Sequence, residues 1–453
     1  MLETIDEHIE IGQWGILLIS SLAFIFFSPL AKTKKVFFKA TQKNRAPNTM
    51  LLMGSLVISW IFAKSITNAA NLGQQFGVAG GVAYAMYYFS FVVAGAVIYQ
   101  IRTKGNFESI HDFLKVKFGH TAILIFSFLI LIRLFNEVWS NTMVIGAYFG
   151  SIGSSSYYCS IVVFTGLTLF YALKGGLSSS IFTDAIQMLF FAILLIFILG
   201  KIFSYKNFSL SDIYWSSEWS MALGGNLIFT ALIQSFSYPF HDPVLTDRGF
   251  LSNPKTTLKS FLWAAIVGFF CILLFSFIGV FAKANGIVGQ STLVVSRLFG
   301  AVFLLVINFI MISSAASTLD STFASASKLL AIDLNIKPTL SFGRLVMIGI
   351  AIVGTIPVFL DASILSATTI SGTMVIGLAP VFILWKMKTP KISFYASVFA
   401  GITFGFLLVF KIFPSSLILT TGKYADLLWI NIWGSFICFI LYLLPIWIKK
   451  TFN

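Results

Sequence analysis

From about residue 12 to residue 448 the sequence is a succession of apolar stretches, each long enough to cross a bilayer, divided by short loops where most of the 30 Lys and Arg residues gather. That patterning leaves few structural options. Within hydrocarbon every backbone N–H and C=O needs a partner, so such a chain crosses as helices of about 20 residues each. Thirteen spans are expected, at 12–31, 49–78, 80–101, 120–150, 157–173, 176–202, 223–241, 258–282, 292–330, 341–360, 364–386, 392–412 and 425–448. With 58% hydrophobic and only 10% charged residues, the chain has no room for a soluble domain. The fold class is an all-α polytopic membrane protein.

The net charge of +14 reads as a topology signal and not as nucleic-acid binding, because the cations sit between the spans. The first eleven residues hold Glu3, Asp6, Glu7 and Glu10 and no cation, unlike the basic start of a cleaved leader. The basic run Lys32–Arg45 follows the first span. The positive-inside rule then predicts an external N-terminus, a cytoplasmic C-terminus and residence in a plasma or inner membrane. Cys159, Cys271 and Cys438 lie far apart in apolar stretches and suggest neither disulfides nor a metal cluster. His8, His111, His120 and His241 have no metal-ligand spacing, and no GxxxxGK[ST] loop is present. A transporter is expected, not an enzyme, with no organic cofactor and no obligate protein partner.

Ser313–Asp333 concentrates the chemistry. At helical spacing Ser314, Ser317, Thr318, Ser321 and Ser325 form one narrow stripe, with Asp320 on its flank. Facing lipid, these oxygens have no partners; they suit a neighbouring helix, a wet cavity or a hard cation. A serine-rich face alone is also ordinary interhelical packing. Asp320 argues for more, since a carboxylate at membrane depth costs about 2.5–3.5 kcal/mol and marks ion or substrate paths.

Two spans are irregular. The second ends in a polar, glycine-rich run, Asn68 to Gly81, expected to unwind, and the seventh carries Gln234-Ser-Phe-Ser-Tyr238-Pro239-Phe-His241-Asp242. Interrupted helices five spans apart point to an inverted repeat with its site at the breaks. The expected organisation is residues 1–48 as N-terminus, first helix and basic loop, 49–202 as one five-helix repeat, 203–222 as an external loop, 223–391 as the second repeat, and 392–453 as two final helices and a tail. Asn68, Asn71, Gln74, Gln75, Gln234, Ser237 and Tyr238 are solute-binding candidates by location. In the fourth span Arg133 and Glu137 stand four apart, either as a pair on one helix face or with the guanidinium open to a substrate carboxylate. Lys64, before the expected break, either snorkels or pairs with Asp184 or Asp320, with a possible part in coupling.

These residues resemble the solute:sodium symporter family over most of the chain. Gly175-Gly176 followed by Thr183-Asp184-Ala-Ile-Gln187 is similar to a family signature, the serine stripe before Ala331-Ile-Asp333 to its ninth helix, and Asp242…Arg248 with Pro254-Lys255 to its loop after the seventh. Trp60–Gly80, with Asn71, Gln75, Gly77 and Gly80, resembles the urea-transporter branch, and the sodium-proline branch is also near; Lys64 and Arg133 depart from the urea pattern. The resemblance implies a five-plus-five core of the leucine-transporter-like fold, with Na⁺ driving uptake. It also implies a sodium site from the carbonyls of Ala69, Leu72 and Ser314 and the hydroxyls of Ser317 and Thr318, and a role for Asp184 at a second ion. The activity expected is import of a small polar organic solute, an amino acid such as proline or another small carboxylate or amide. A urea-type neutral solute, a membrane sensor and a passive channel are the alternatives.

Overall fold

A computed structural model describes residues 2–40, 46–205, 208–360 and 371–451. Among them regular structure is helical throughout. The principal helices are α1 (Leu2–Phe27), α2 (Thr49–Trp60), α3 (Ala63–Phe76), α4 (Val78–Lys104), α5 (Ile110–Phe118), α6 (His120–Phe149), α7 (Ser155–Gly175), α8 (Leu177–Phe203), α9 (Asn226–Gln234), α10 (Pro254–Ala284), α11 (Ala301–Lys328), α12 (Leu340–Thr355), α13 (Lys391–Val409) and α14 (Ala425–Thr451). Ten described helices are long and apolar enough to cross a membrane, and eleven when α2 and α3, bent by 62° at their junction, count as one span. Met221–Gln234 is a shorter apolar helix. The span expected at 364–386 lies partly outside the described residues, which hold its helix Leu378–Ile383. Lys43 and Arg45 of the first basic loop also lie outside them.

The chain forms two compact units, each assembled from three separate stretches. The first comprises Met1–Gly81, Leu134–Ser217 and Phe270–Ile364. Its centre is α11, packed against α1, α2, α3, α7, α8 and α12, and 78% of its apolar window is buried. Small residues let backbones touch: a Cβ on Gly73 would strike the Ser276 carbonyl, and one on Gly279 would strike the Ala70 carbonyl, so α3 and α10 tolerate no larger side chain there. The second unit comprises Val82–Arg133, Glu218–Phe269 and Leu365–Asn453. There α13 lies along α14, Phe240 stacks on Phe382 at 4.1 Å, and Phe118 meets Phe394 at 5.1 Å.

One expected break moves. The second span does not unwind at 68–81: α3 is regular through Ala69 and Leu72, and the interruption comes earlier, where Ile61 takes φ −84° and ψ 68° between α2 and α3. The polar residues that suggested unwinding find partners as helix, since Asn71 accepts from the Ser291 amide at 3.0 Å and Gln74 from the Ser291 hydroxyl at 2.8 Å. The first turn of α3 is held in trans by the Asn141 side chain, which accepts from the Lys64 amide at 3.4 Å. The helix ends only at Gly77, whose φ of +66° suits glycine alone. The seventh span breaks where expected: α9 stops at Gln234, and Tyr238–His241 is a 3₁₀ turn before the short helix Pro243–Arg248.

Candidate cation and solute sites

In the first unit the serine stripe of α11 faces inward. Ser314, Ser317, Asp320 and Ser321 have no exposed surface and Thr318 has 1%. Asp184, on α8 and equally buried, is their hub. Its Oδ1 accepts from Ser317 of α11 at 2.5 Å, and its Oδ2 accepts from Ser55 of α2 at 2.5 Å and from Ser59 at 3.3 Å. Asp320 is wired in beside it: its Oδ2 accepts from Thr183 at 3.0 Å and its Oδ1 from Ser321 at 3.3 Å, while Ser321 meets Ser180 at 2.8 Å. Thr318 donates to the Ser314 carbonyl at 2.9 Å. Three helices thus converge on two carboxylates through hydroxyls.

That donor set fits a hard monovalent cation. Hydroxyl oxygens turn lone pairs toward a cation as readily as they turn protons toward a carboxylate, and the carboxylate supplies the charge. The side-chain hydroxyls of Ser313 and Ser314 are buried with no hydrogen-bond partner among the described residues, leaving further oxygen capacity along the stripe. No group of three or more His, Cys, Asp or Glu side chains suited to a transition metal occurs among them. Of the expected sodium set, the structure joins Asp184 to Ser317 and Thr318 to Ser314, and packs α3, carrying Ala69 and Leu72, against α11. Ser55 and Ser59 escaped sequence reasoning; their only signal is a four-residue spacing that puts both hydroxyls on one face of α2.

Arg133 and Glu137 each have a counter-ion from another segment. In the first unit Glu137 binds the Lys64 ammonium at 2.7 Å, and its second oxygen accepts from Asn141 at 2.9 Å. Lys64 is 1% exposed, so it does not snorkel; it also donates to Ser140 at 3.2 Å and lies 5.1 Å from the Phe62 ring. Of the remaining candidates in this unit, Asn68 is buried, Asn71 and Gln74 fasten α3 to the segment at Ser291, and Gln75 is exposed.

In the second unit Arg133 binds Asp242 at 3.1 Å and lies 5.1 Å from the Tyr238 ring. Asp242 also caps the helix Pro243–Arg248 by accepting from the Val244 amide at 3.0 Å. Gln234 accepts from the Tyr87 hydroxyl at 2.8 Å and donates to Asn431 at 3.1 Å and Thr373 at 3.4 Å. Ser237 donates to the Gln234 carbonyl at 3.2 Å. Four candidates named from sequence, Arg133, Gln234, Ser237 and Tyr238, therefore gather at the break in the seventh span, with Tyr87, His241, Thr373 and Asn431 added by the fold.

Residues 45–213 match the sodium:solute symporter family model. Two mouse proteins, solute carrier family 5 members 4B and 4A, are 26% and 24% identical over 221 and 207 residues, covering 44% and 41% of this chain. Those alignments span only 33% and 30% of the mouse proteins. The fold is shared with a Na⁺-coupled sialic acid symporter in a substrate-bound outward-open state, at a TM-score of 0.68 and 15% identity over 96% of this chain and 97% of that one. It is also shared with Mhp1, a nucleobase-cation-symport-1 family transporter, closed around bromovinylhydantoin, at 0.56 and 13% over 91% and 95%. The signature at Gly175–Gln187 lies inside the matched region, so residues 45–213 are similar to the sodium:solute symporter family, while the fold is shared with these structures over nearly the whole chain.

Proposed function

We propose that the protein is a sodium-coupled secondary symporter, importing a small polar organic solute by alternating access across a cell membrane in which its N-terminus is external and its C-terminus cytoplasmic. The observation that carries this reading is the convergence of α2, α8 and α11 on Asp184 through Ser55, Ser59 and Ser317. A cation among these oxygens ties three helices together, so it stabilises whichever conformation closes the cage, and that differential affinity couples ion binding to the solute site. Ser317, Thr318 and Asp184 hold the ion with the Ser314 carbonyl, while the Ala69 and Leu72 carbonyls of the expected set lie in the regular helix α3, where helical hydrogen bonds engage them. When bound, Na⁺ supplies a positive counter-charge to the buried carboxylates.

The solute reading turns on Arg133. Because Asp242 already neutralises its guanidinium in the second unit, a neutral solute such as urea or an amide is favoured over a carboxylate or an amino acid such as proline, which competes with Asp242. Proteoliposomes with an imposed inward Na⁺ gradient test the function. Accumulation of a tracer solute above equilibrium that collapses with the gradient supports symport. Equilibration without accumulation supports a channel, and binding without flux supports a sensor. The solute is chosen beforehand by thermal-shift screening of urea, amides, amino acids, sugars and carboxylates with and without Na⁺, since ligand binding to the folded state raises its stability.

A further inference from the structure

The second unit holds a cavity of about 980 Å³ that the solute and ion chemistry leaves unused. It lies among the end of α4 at Gly105, α5, the segment Trp385–Pro390 that leads into α13, and Ile446 near the end of α14. Three helix ends meeting in one place mark the rim of the spans and not their middle. Lys117, Lys386 and Lys388 line the cavity, and none of its described lining residues is acidic.

We propose that this pocket holds the headgroup of an anionic phospholipid, its phosphate among the three lysines and its acyl chains along the neighbouring apolar surface. Lys117 is the built element: its ammonium donates to the Trp385 carbonyl at 2.6 Å and lies 5.3 Å and 5.6 Å from the Phe118 and Phe113 rings. Burial of that kind strips water from the cation and lowers its pKa to about 8, a cost that an adjoining phosphate relieves. Lys386 and Lys388 are exposed beside it, with the Lys386 ammonium 5.8 Å from the Trp385 ring. Around these cations the surface is apolar where a soluble anion has no use for it: Val116 is 69% exposed, Ile392 56% and Trp447 68%. Cations and aromatic rings at the ends of spans, next to bare hydrocarbon, complement a ligand with an anionic head and two chains.

The test uses the full chain in a neutral detergent, titrated with dihexanoyl phosphatidylglycerol, with dihexanoyl phosphatidylcholine and with inorganic phosphate. Native mass spectrometry and the melting temperature are the readouts. Phosphatidylglycerol is expected to bind saturably and raise the melting temperature, with both other probes at least tenfold weaker. Lys386→Gln and Lys388→Gln are each expected to weaken its binding about fivefold, in line with the usual contribution of a basic residue at an anionic surface, and the double Lys→Arg variant retains it. Both side chains are exposed, so the lipid-free melting temperature serves as the check on folding. Equal binding of the two phospholipids, inorganic phosphate binding as tightly as the lipid, or Gln variants that bind like the wild type would each overturn the proposal.

Discussion

Ser317 donates to Asp184 at 2.5 Å, joining α11 to α8 across 133 positions of sequence. Neither residue needs this bond for its own helix. Its effect is to bring a hydroxyl and a carboxylate, both without exposed surface, together between the two helices.

Replacing Ser317 and Thr318 together by Ala is expected to remove the stabilisation that Na⁺ confers while leaving the sodium-free protein folded. At a hundred times the dissociation constant that stabilisation is about 2.7 kcal/mol. Melting curves in NaCl and in choline chloride measure it, and an unchanged difference between the two salts in the double variant removes these hydroxyls from the ion site.

Asp184→Asn keeps the shape of the cage and removes a charge. The expected result is an apparent sodium affinity lowered by at least tenfold, about 1.4 kcal/mol, with the hydroxyls on one side donating to the amide oxygen and those on the other turning to accept from the amide NH2. Ser55→Ala, which deletes one donor and no charge, should have the smaller effect. Equal sodium titrations for wild type and Asp184→Asn would make Asp184 purely structural.

Lys64→Ala removes the ammonium beside the buried Glu137 carboxylate and is expected to destabilise the protein by about 3–5 kcal/mol. The double variant Lys64→Met with Glu137→Leu should recover most of that loss, because both charges are then gone. Denaturant unfolding in detergent compares the three. If the double variant is no more stable than Lys64→Ala, the pair does not account for the loss.

For Arg133, pairing with Asp242 predicts that Arg133→Lys transports a neutral solute with an apparent KM within about threefold of the wild type, since a lysine still neutralises one carboxylate. A clamp on a substrate carboxylate predicts a much larger rise, because a point-charge ammonium cannot make two parallel hydrogen bonds. Uptake kinetics on the solute found by screening decide between them.

Lys117 gives the protein a pH dependence of stated sign. Burial lowers its pKa from 10.5 to about 8, so between those values the unfolded chain holds a proton that the folded one has released. Stability contributed at this position therefore rises with pH from about 8 to about 10.5 and is absent below 8. The difference in melting temperature between wild type and Lys117→Met, followed from pH 7 to pH 10.5 in lipid-free detergent, should shift toward the wild type; a flat difference sinks the assignment.

Much of the architecture was legible because it is local. Apolar length locates spans wherever they pack, basic loops separate them, and a hydroxyl every third or fourth residue of α11 declares one face whatever lies opposite. The break after Gln234 was legible for the same reason, since proline and glycine act on their own backbone. The break in the second span was misplaced because glycine has two uses: at Gly73 it admits the Ser276 backbone of α10, and nothing in its own neighbourhood distinguishes close packing from unwinding.

Partner choice belongs to the tertiary structure. Arg133 and Glu137 stand four apart on one helix, and each finds a counter-ion in a distant segment, Asp242 and Lys64, that spacing along the helix does not announce. Both pairs place their charges in buried surroundings, where the attraction far exceeds that of an exposed same-helix pair. Ser55 and Ser59 are ordinary serines until α2 is laid against α8. The sequence determined that oxygens and charges had to be sheltered within the spans; the packing of helices distant in sequence decided which oxygen shelters which charge, because that energy depends on separation in space and not along the chain.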